Sequence, residues 1–242
     1  MNMTISAAQS GTSPAPMNVF ARFIGILTAP RATYESVVAH PKWLGMYLLT
    51  AMLIAFGAAL PMTTDAGKQA AVDQQVSAIE GFGMEVSDER YAAMHRGTAI
   101  LPYTTGVSVL VGMVLVFVVM SGILFAIFNA AMGGEARYKQ VLTVLVHSSV
   151  ISAVGAAFAG PLNYFRGSVQ SPATLGALLP MLDDRSFIGK LAGMVDLFTI
   201  WGLIVLAIGL AVLYRRKTQP IAVTFLAIYA VIAVCIAYFT SN

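Results

Sequence analysis

The sequence predicts an all-α, polytopic membrane helix bundle with about five transmembrane helices and short interfacial helices at its N-terminus. Three observations carry that expectation. Of the 242 residues 58% are hydrophobic and only 10% are charged, whereas a soluble domain has about a quarter of its residues charged. Mean hydropathy is +0.78, so a folded body of this size could not cover its surface against water. Finally, apolar runs recur near the ~20 residues that a helix needs to cross a bilayer. Each must be helical, because unpaired backbone groups are too costly in hydrocarbon.

The elements follow in order. Residues 1–16 are rich in Ser, Thr, Ala, Gln and Pro and read as a disordered tail without Lys or Arg, so the basic start of a secretory signal is missing. Two short helices are expected over 17–42. The first sets Val19, Phe20, Phe23, Ile24 and Leu27 at helical spacing and is ended by Pro30, since proline cannot continue the hydrogen-bond ladder. The second, RATYESVVAH, is closed by Pro41. Both are too short to span and suit the headgroup layer; packing against the bundle is the other way to bury their apolar sides.

Residues 43–239 make the membrane domain. Trp43 to Leu60 is the first span, with Lys42 and Trp43 as interfacial anchors and Pro61 at its end. The polar stretch 63–98 carries Asp65, Asp73, Glu80, Glu85, Asp88 and Glu89. It predicts one amphipathic helix through Val72, Val76 and Ile79, and a second started at Ser87–Asp88–Glu89 that leads into the next span. Leu101 to Phe128 is the second span. Gly133–Gly134 then supplies a left-handed turn and places Glu135 in the first turn of the next helix. The third span, Val141 to Gly160, is expected to stop at Pro161. Residues 162–193, with Pro172 and Pro180, predict short surface helices or a re-entrant piece. Leu197 to Tyr214 is the fourth span, followed by Arg215–Arg216–Lys217, and Ile221 to Phe239 is the fifth. The small pairs Ser108/Gly112, Gly155/Ala159 and Ala207/Ala211 favour close helix approach.

Charge sets an expected orientation. With the N-terminus cytoplasmic, Arg22, Arg31, Lys42, Arg137, Lys139, Arg215, Arg216 and Lys217 lie inside, close to span ends. Lys68, Arg90, Arg96, Arg166, Arg185 and Lys190 lie outside on longer loops. The positive-inside bias therefore favours N-terminus in and C-terminus out, in the inner cell membrane.

Several chemistries are excluded. The 14 Lys and Arg are dispersed and the net charge is only +3, unlike the clustered basic face that nucleic acid requires. Cys235 is the single cysteine, so neither an intramolecular disulfide nor a multi-cysteine metal site is available. His40, His95 and His147 form no HExxH, and Gly133–Gly134 lacks the rest of a phosphate loop. A rhomboid-type GxSG at Ser121–Gly122 would need glycine where Val119 stands. No catalytic, cofactor-binding or metal residue is assigned, and no cofactor is expected.

The candidate polar residues inside the membrane are His147, Asp196 and Asn129, with Thr104, Thr105, Ser108 and Thr199 as further members of any polar path. His147 also fits a neutral histidine bonded to a neighbouring helix. Asp196 fits an N-cap for the fourth span, and an ion or proton site is the sharper alternative. Arg215–Arg216–Lys217 suits either topology anchoring or a weak attraction to anionic headgroups.

Three segments in this order resemble the Yip (Ypt-interacting protein) domain family, its bacterial branch in particular. They are APRATYESVVAHPKW at Ala29–Trp43, GGEARYKQVLTVLVHSS at Gly133–Ser149, and DLFTIWGLIVLAIGL at Asp196–Leu210. The likeness follows the bundle from about residue 20 to 239 and marks Pro30, Pro41, Gly133, Gly134, Asp196 and Trp201 as family-motif residues. Eukaryotic members bind Rab-type GTPases in vesicle traffic, but the short tail here lacks their tyrosine- and proline-rich segment. The resemblance thus implies a five-helix, non-enzymatic membrane scaffold whose partners are the lipid bilayer and other membrane proteins or a second copy. The alternative is a small permease or channel subunit acting as an oligomer. It requires the polar residues above to converge on one cavity.

Overall fold

The computed structural model describes residues 15–81, 83–183 and 186–241, so the expected tail lies outside the described residues as far as residue 14. Helices α1 (Val19–Thr28) and α2 (Pro30–Ala39) lead into α3 (Leu44–Ala59) and a 3-10 turn at Pro61–Thr63. Next come α4 (Asp65–Gly81) and α5 (Asp88–Arg96), then α6 (Leu101–Phe125), which passes into a π-helical segment at Ala126–Ala131. Helix α7 (Tyr138–Arg166) is followed by the short α8 (Leu175–Leu178) and α9 (Phe187–Met194). Helices α10 (Leu197–Leu213) and α11 (Thr218–Ser241) complete the bundle. Among the described residues the one β contact is an isolated bridge between Thr174 and Asp196.

Helix α7 is the centre: α3, α6 and α10 all pack on it, α6 also packs on α3, and α11 packs on α10. The core runs along α7 through Val141, Val144, Val146, Val150 and Ile151 and joins Met46, Ala51, Val205, Ala207 and Leu210. Three stretches are long and apolar enough to cross a membrane: Asp88–Ala131, Tyr138–Arg166 and Thr218–Ser241. Helices α3 and α10 have 16 and 17 residues, about 24–26 Å at 1.5 Å per residue, just under a ~30 Å hydrocarbon core. The protein is an integral membrane helix bundle.

Side-chain size explains the close α3–α7 crossing. A Cβ on Gly57 would lie 2.5 Å from the Ala156 carbonyl oxygen, and one on Gly160 would lie 2.7 Å from the Gly57 Cα. The α3–α7 backbones meet there because neither position carries a side chain. Of the small pairs expected from sequence, Gly155 meets the Phe198 ring and Ala207 and Ala211 are buried, while Gly112 has open space around it.

Two boundaries differ from expectation. Helix α7 does not stop at Pro161 but continues to Arg166, where Gly167 at φ 60° caps it. A proline removes one backbone bond and leaves the rest of a long packed helix in place. Glu135 is not in the first turn of α7, which begins at Tyr138; it sits in an extended connection after Gly133, whose φ of +68° is the left-handed turn. Residues 162–193 fold beyond Arg166 as α8 and α9, which pack on each other, with α9 against α11.

The short N-terminal helices pack on the bundle, α1 on α7 and α3, and α2 on α10 and α7. Ile26, Tyr34 and Val37 are fully buried, while Phe20 and Ile24 remain exposed on the other side of α1. Helices packed this way also keep an apolar side for the headgroup boundary.

The contacts define two ends. Arg22, His40 and Lys42 meet at one end, as do Gln140 with Val38 and Arg216 with Met132. We call it the near end. The far end gathers Gly167 against Ala66, Gly81 against Thr240, and Ser171 against Asp196.

Candidate functional site

At the near end, an arginine is built into an otherwise apolar helix. Arg22 is 3% exposed, and its guanidinium donates from Nε to the Met17 carbonyl at 3.1 Å, from Nη1 to Lys42 at 3.4 Å and from Nη2 to His40 at 2.9 Å. These bonds clamp the entry to α1 onto the turn between α2 and α3. Pro41 creates that turn, because the residue before a proline avoids helical geometry. Burial lowers the Arg22 pKa from its ordinary value.

His147 lies on α7, two turns deeper than Lys139, and is completely buried. Its Nδ1 is 2.7 Å from the Thr143 carbonyl. A carbonyl only accepts, so Nδ1 carries a proton, and in the neutral ring the lone pair is on Nε2. That Nε2 has no hydrogen-bond partner. Arg22, Lys42, Trp43, Met46, Lys139 and His147 line a shared cavity of about 560 Å³.

Asn129 performs a different task. It sits in the π-helical segment, donates from Nδ2 to the Ala136 carbonyl at 2.7 Å and accepts from the Tyr214 hydroxyl at 2.7 Å. Tyr214 stacks on Phe128 with centroids 4.8 Å apart. Gly134 fits between them: a Cβ there would be 2.6 Å from the Tyr214 ring and 2.7 Å from the Phe128 carbonyl oxygen. The glycine pair therefore locks the end of α6 to the end of α10.

Asp196 belongs to the far end. Its Oδ1 accepts from the Thr199 backbone N–H at 2.9 Å, capping α10, and its Oδ2 accepts from the Ser171 hydroxyl. The Tyr229 hydroxyl donates to the Met194 carbonyl and accepts from the Asp196 N–H at 3.2 Å, drawing α11 onto the same cap. Trp201 lies one turn further along α10, beside Phe198. Pro30 is the first residue of α2, where its missing N–H has no helical partner to lose.

The expected polar residues are thus not brought to one cavity. His147 and Asn129 serve separate structures at the near end, and Asp196 and Thr199 are at the far end. Thr104 bonds back to the Ile100 and Leu101 carbonyls, and Thr105 meets the Met62 sulfur. Ser121 Oγ and His147 Nε2 are both without a partner, so the pair is not a nucleophile with its base. Sequence reasoning missed the hydroxyls of Tyr214, Tyr229 and Ser171, since nothing in an apolar run reveals which neighbour a tyrosine reaches. It counted Arg22 only among the charges that set orientation; a lone cation among the apolar residues of α1 was the available signal.

Among known families, the Yip1 domain matches the chain over residues 24–240. No curated protein and no solved structure matches it.

Proposed function

The chain belongs to the Yip1 domain family, and from that premise we propose that it is a non-enzymatic scaffold of the membrane, acting through its exposed helix faces on other membrane proteins or a second copy. The observation that carries this reading is how the intramembrane polar groups are employed. Asn129 and Asp196 are committed to joining helix ends, and neither lines the cavity that His147 lines. What the bundle offers outward is apolar: Val107, Val111, Leu115 and Val118 along α6, and Ile228, Val231 and Ile232 along α11. The permease alternative requires the opposite arrangement.

We place the protein in the cell membrane with its near end cytoplasmic and its C-terminus outside. Arg22, Lys42, Arg137, Lys139, Arg216 and Lys217 all belong to the near end or its loops, which supports that orientation under the positive-inside bias.

A photo-crosslinking residue at Val111, with one at Val205 in the core as control, tests the scaffold reading in native membranes. Discrete protein adducts at Val111 and none at Val205 are expected. Adducts to lipid alone at Val111, Leu115 and Val231 would contradict it.

A further inference from the structure

We propose that the near-end cavity is a binding site for a phosphate ester that also bears a hydroxyl, the chemistry of an anionic glycerophospholipid headgroup. The inference does not rest on the scaffold reading, because it concerns a pocket and not the outer helix faces.

The lining is cationic without compensation. Arg22, Lys42 and Lys139 contribute three basic side chains, and the lining contains no acid. Among the described residues the one salt bridge is Lys68–Asp65, in α4. Arg22 is the built part of the site. Three backbone carbonyls fix its plane, and a guanidinium carries further N–H groups that these bonds leave over. A planar, oriented donor of this kind suits phosphate oxygens. Lys42 and Lys139 are exposed at the mouth, where flexible ammonium groups close on an anion from the water side.

His147 specifies more than charge. It is eight residues beyond Lys139 on α7, about 12 Å along the helix at 1.5 Å per residue. The ring is fully buried and its Nε2 lone pair is unanswered. An unmet acceptor of this kind is costly unless a donor reaches it. Phosphate oxygens cannot donate, but a hydroxyl beside the phosphate can. Phosphate held by Arg22 and the lysines, with a hydroxyl on His147 Nε2, answers both the surplus positive charge and the unmet acceptor of the cavity. Trp43 and Met46 supply the apolar wall that leads from a headgroup to its chains.

Phosphatidylglycerol and a soluble ester such as glycerol 3-phosphate share this chemistry, and the test separates them. Native mass spectrometry of the full chain from mixed micelles compares retention of phosphatidylglycerol with phosphatidylcholine. Calorimetry on delipidated protein uses glycerol 3-phosphate. The expected result is one retained phosphatidylglycerol, with Lys42→Gln plus Lys139→Gln lowering retention by about tenfold or more. His147→Leu should lower it too, with helix content by circular dichroism unchanged. Calorimetric binding of glycerol 3-phosphate with the same variant sensitivity, and no lipid retained, would support the site with a soluble ligand. Two results would overturn the proposal: equal retention of both lipids by wild type and the double lysine variant with no heat from glycerol 3-phosphate, or a loss seen only with Arg215→Gln plus Lys217→Gln.

Discussion

Single side chains in this protein act mainly as fasteners between helix ends, and their removal is expected to weaken the bundle in graded ways. Asp196 caps α10 and holds Ser171. Asp196→Ala should lower stability by about 1 kcal/mol, the usual scale for a lost N-cap, read as a lower midpoint in thermal unfolding of the solubilised protein. Asp196→Asn keeps a capping oxygen and should stay near wild type. If both variants fall equally, the carboxylate charge matters and the ion-site alternative returns. Gly134→Ala forces a methyl group between the Tyr214 ring and the Phe128 carbonyl and should destabilise by roughly 1–3 kcal/mol, the range for overpacking. Gly133→Ala meets open space and suffers only its left-handed φ, so it should be the milder of the pair by the same assay. The glycine pair was visible in the sequence as a turn. Its partner Tyr214 was not, because Tyr214 is held at this end by a bond to Asn129, 85 positions away in the chain.

Among the elements, helix existence was legible from apolar length, and helix ends were legible only where the local rule had no competitor. Ser87 was read as a start signal for the helix before the second span, and it caps α5 through the Arg90 N–H. Pro161 was read as a stop, yet packing on α3 and α10 holds α7 together across the single bond the proline removes. The α3–α7 crossing was equally hidden, since Gly57 and Gly160 come from different spans and their meeting is a fact of register. That crossing brings the α3 and α7 backbones into direct contact. Gly57→Val should therefore abolish a monodisperse peak in size-exclusion chromatography, while Gly112→Val, at an open position of α6, should elute as wild type. Equal behaviour of the two would mean that α3 and α7 do not cross at Gly57.

For the whole molecule, composition alone gave membrane residence and helical class, because a chain with 10% charged residues has no other way to be solvated. The near-end cavity was beyond sequence reading. Arg22, Lys42, Lys139 and His147 come from three separate segments, and only the folding of α1 and α2 back onto α7 places them together. The proposed orientation depends on one arrangement: five crossings with the near end on the cytoplasmic side. Cysteine labelling tests it most directly, with single cysteines at Ser10, Ala78, Glu135, Ser168 and Ser241 in a Cys235→Ala background and a membrane-impermeant reagent applied to intact cells; Glu135 is exposed in the connection before α7. Labelling is expected at Ala78, Ser168 and Ser241, with protection at Ser10 and Glu135. Protection of Ser241 together with Ser10 would contradict it, since the two termini would then share a side and the number of crossings would be even.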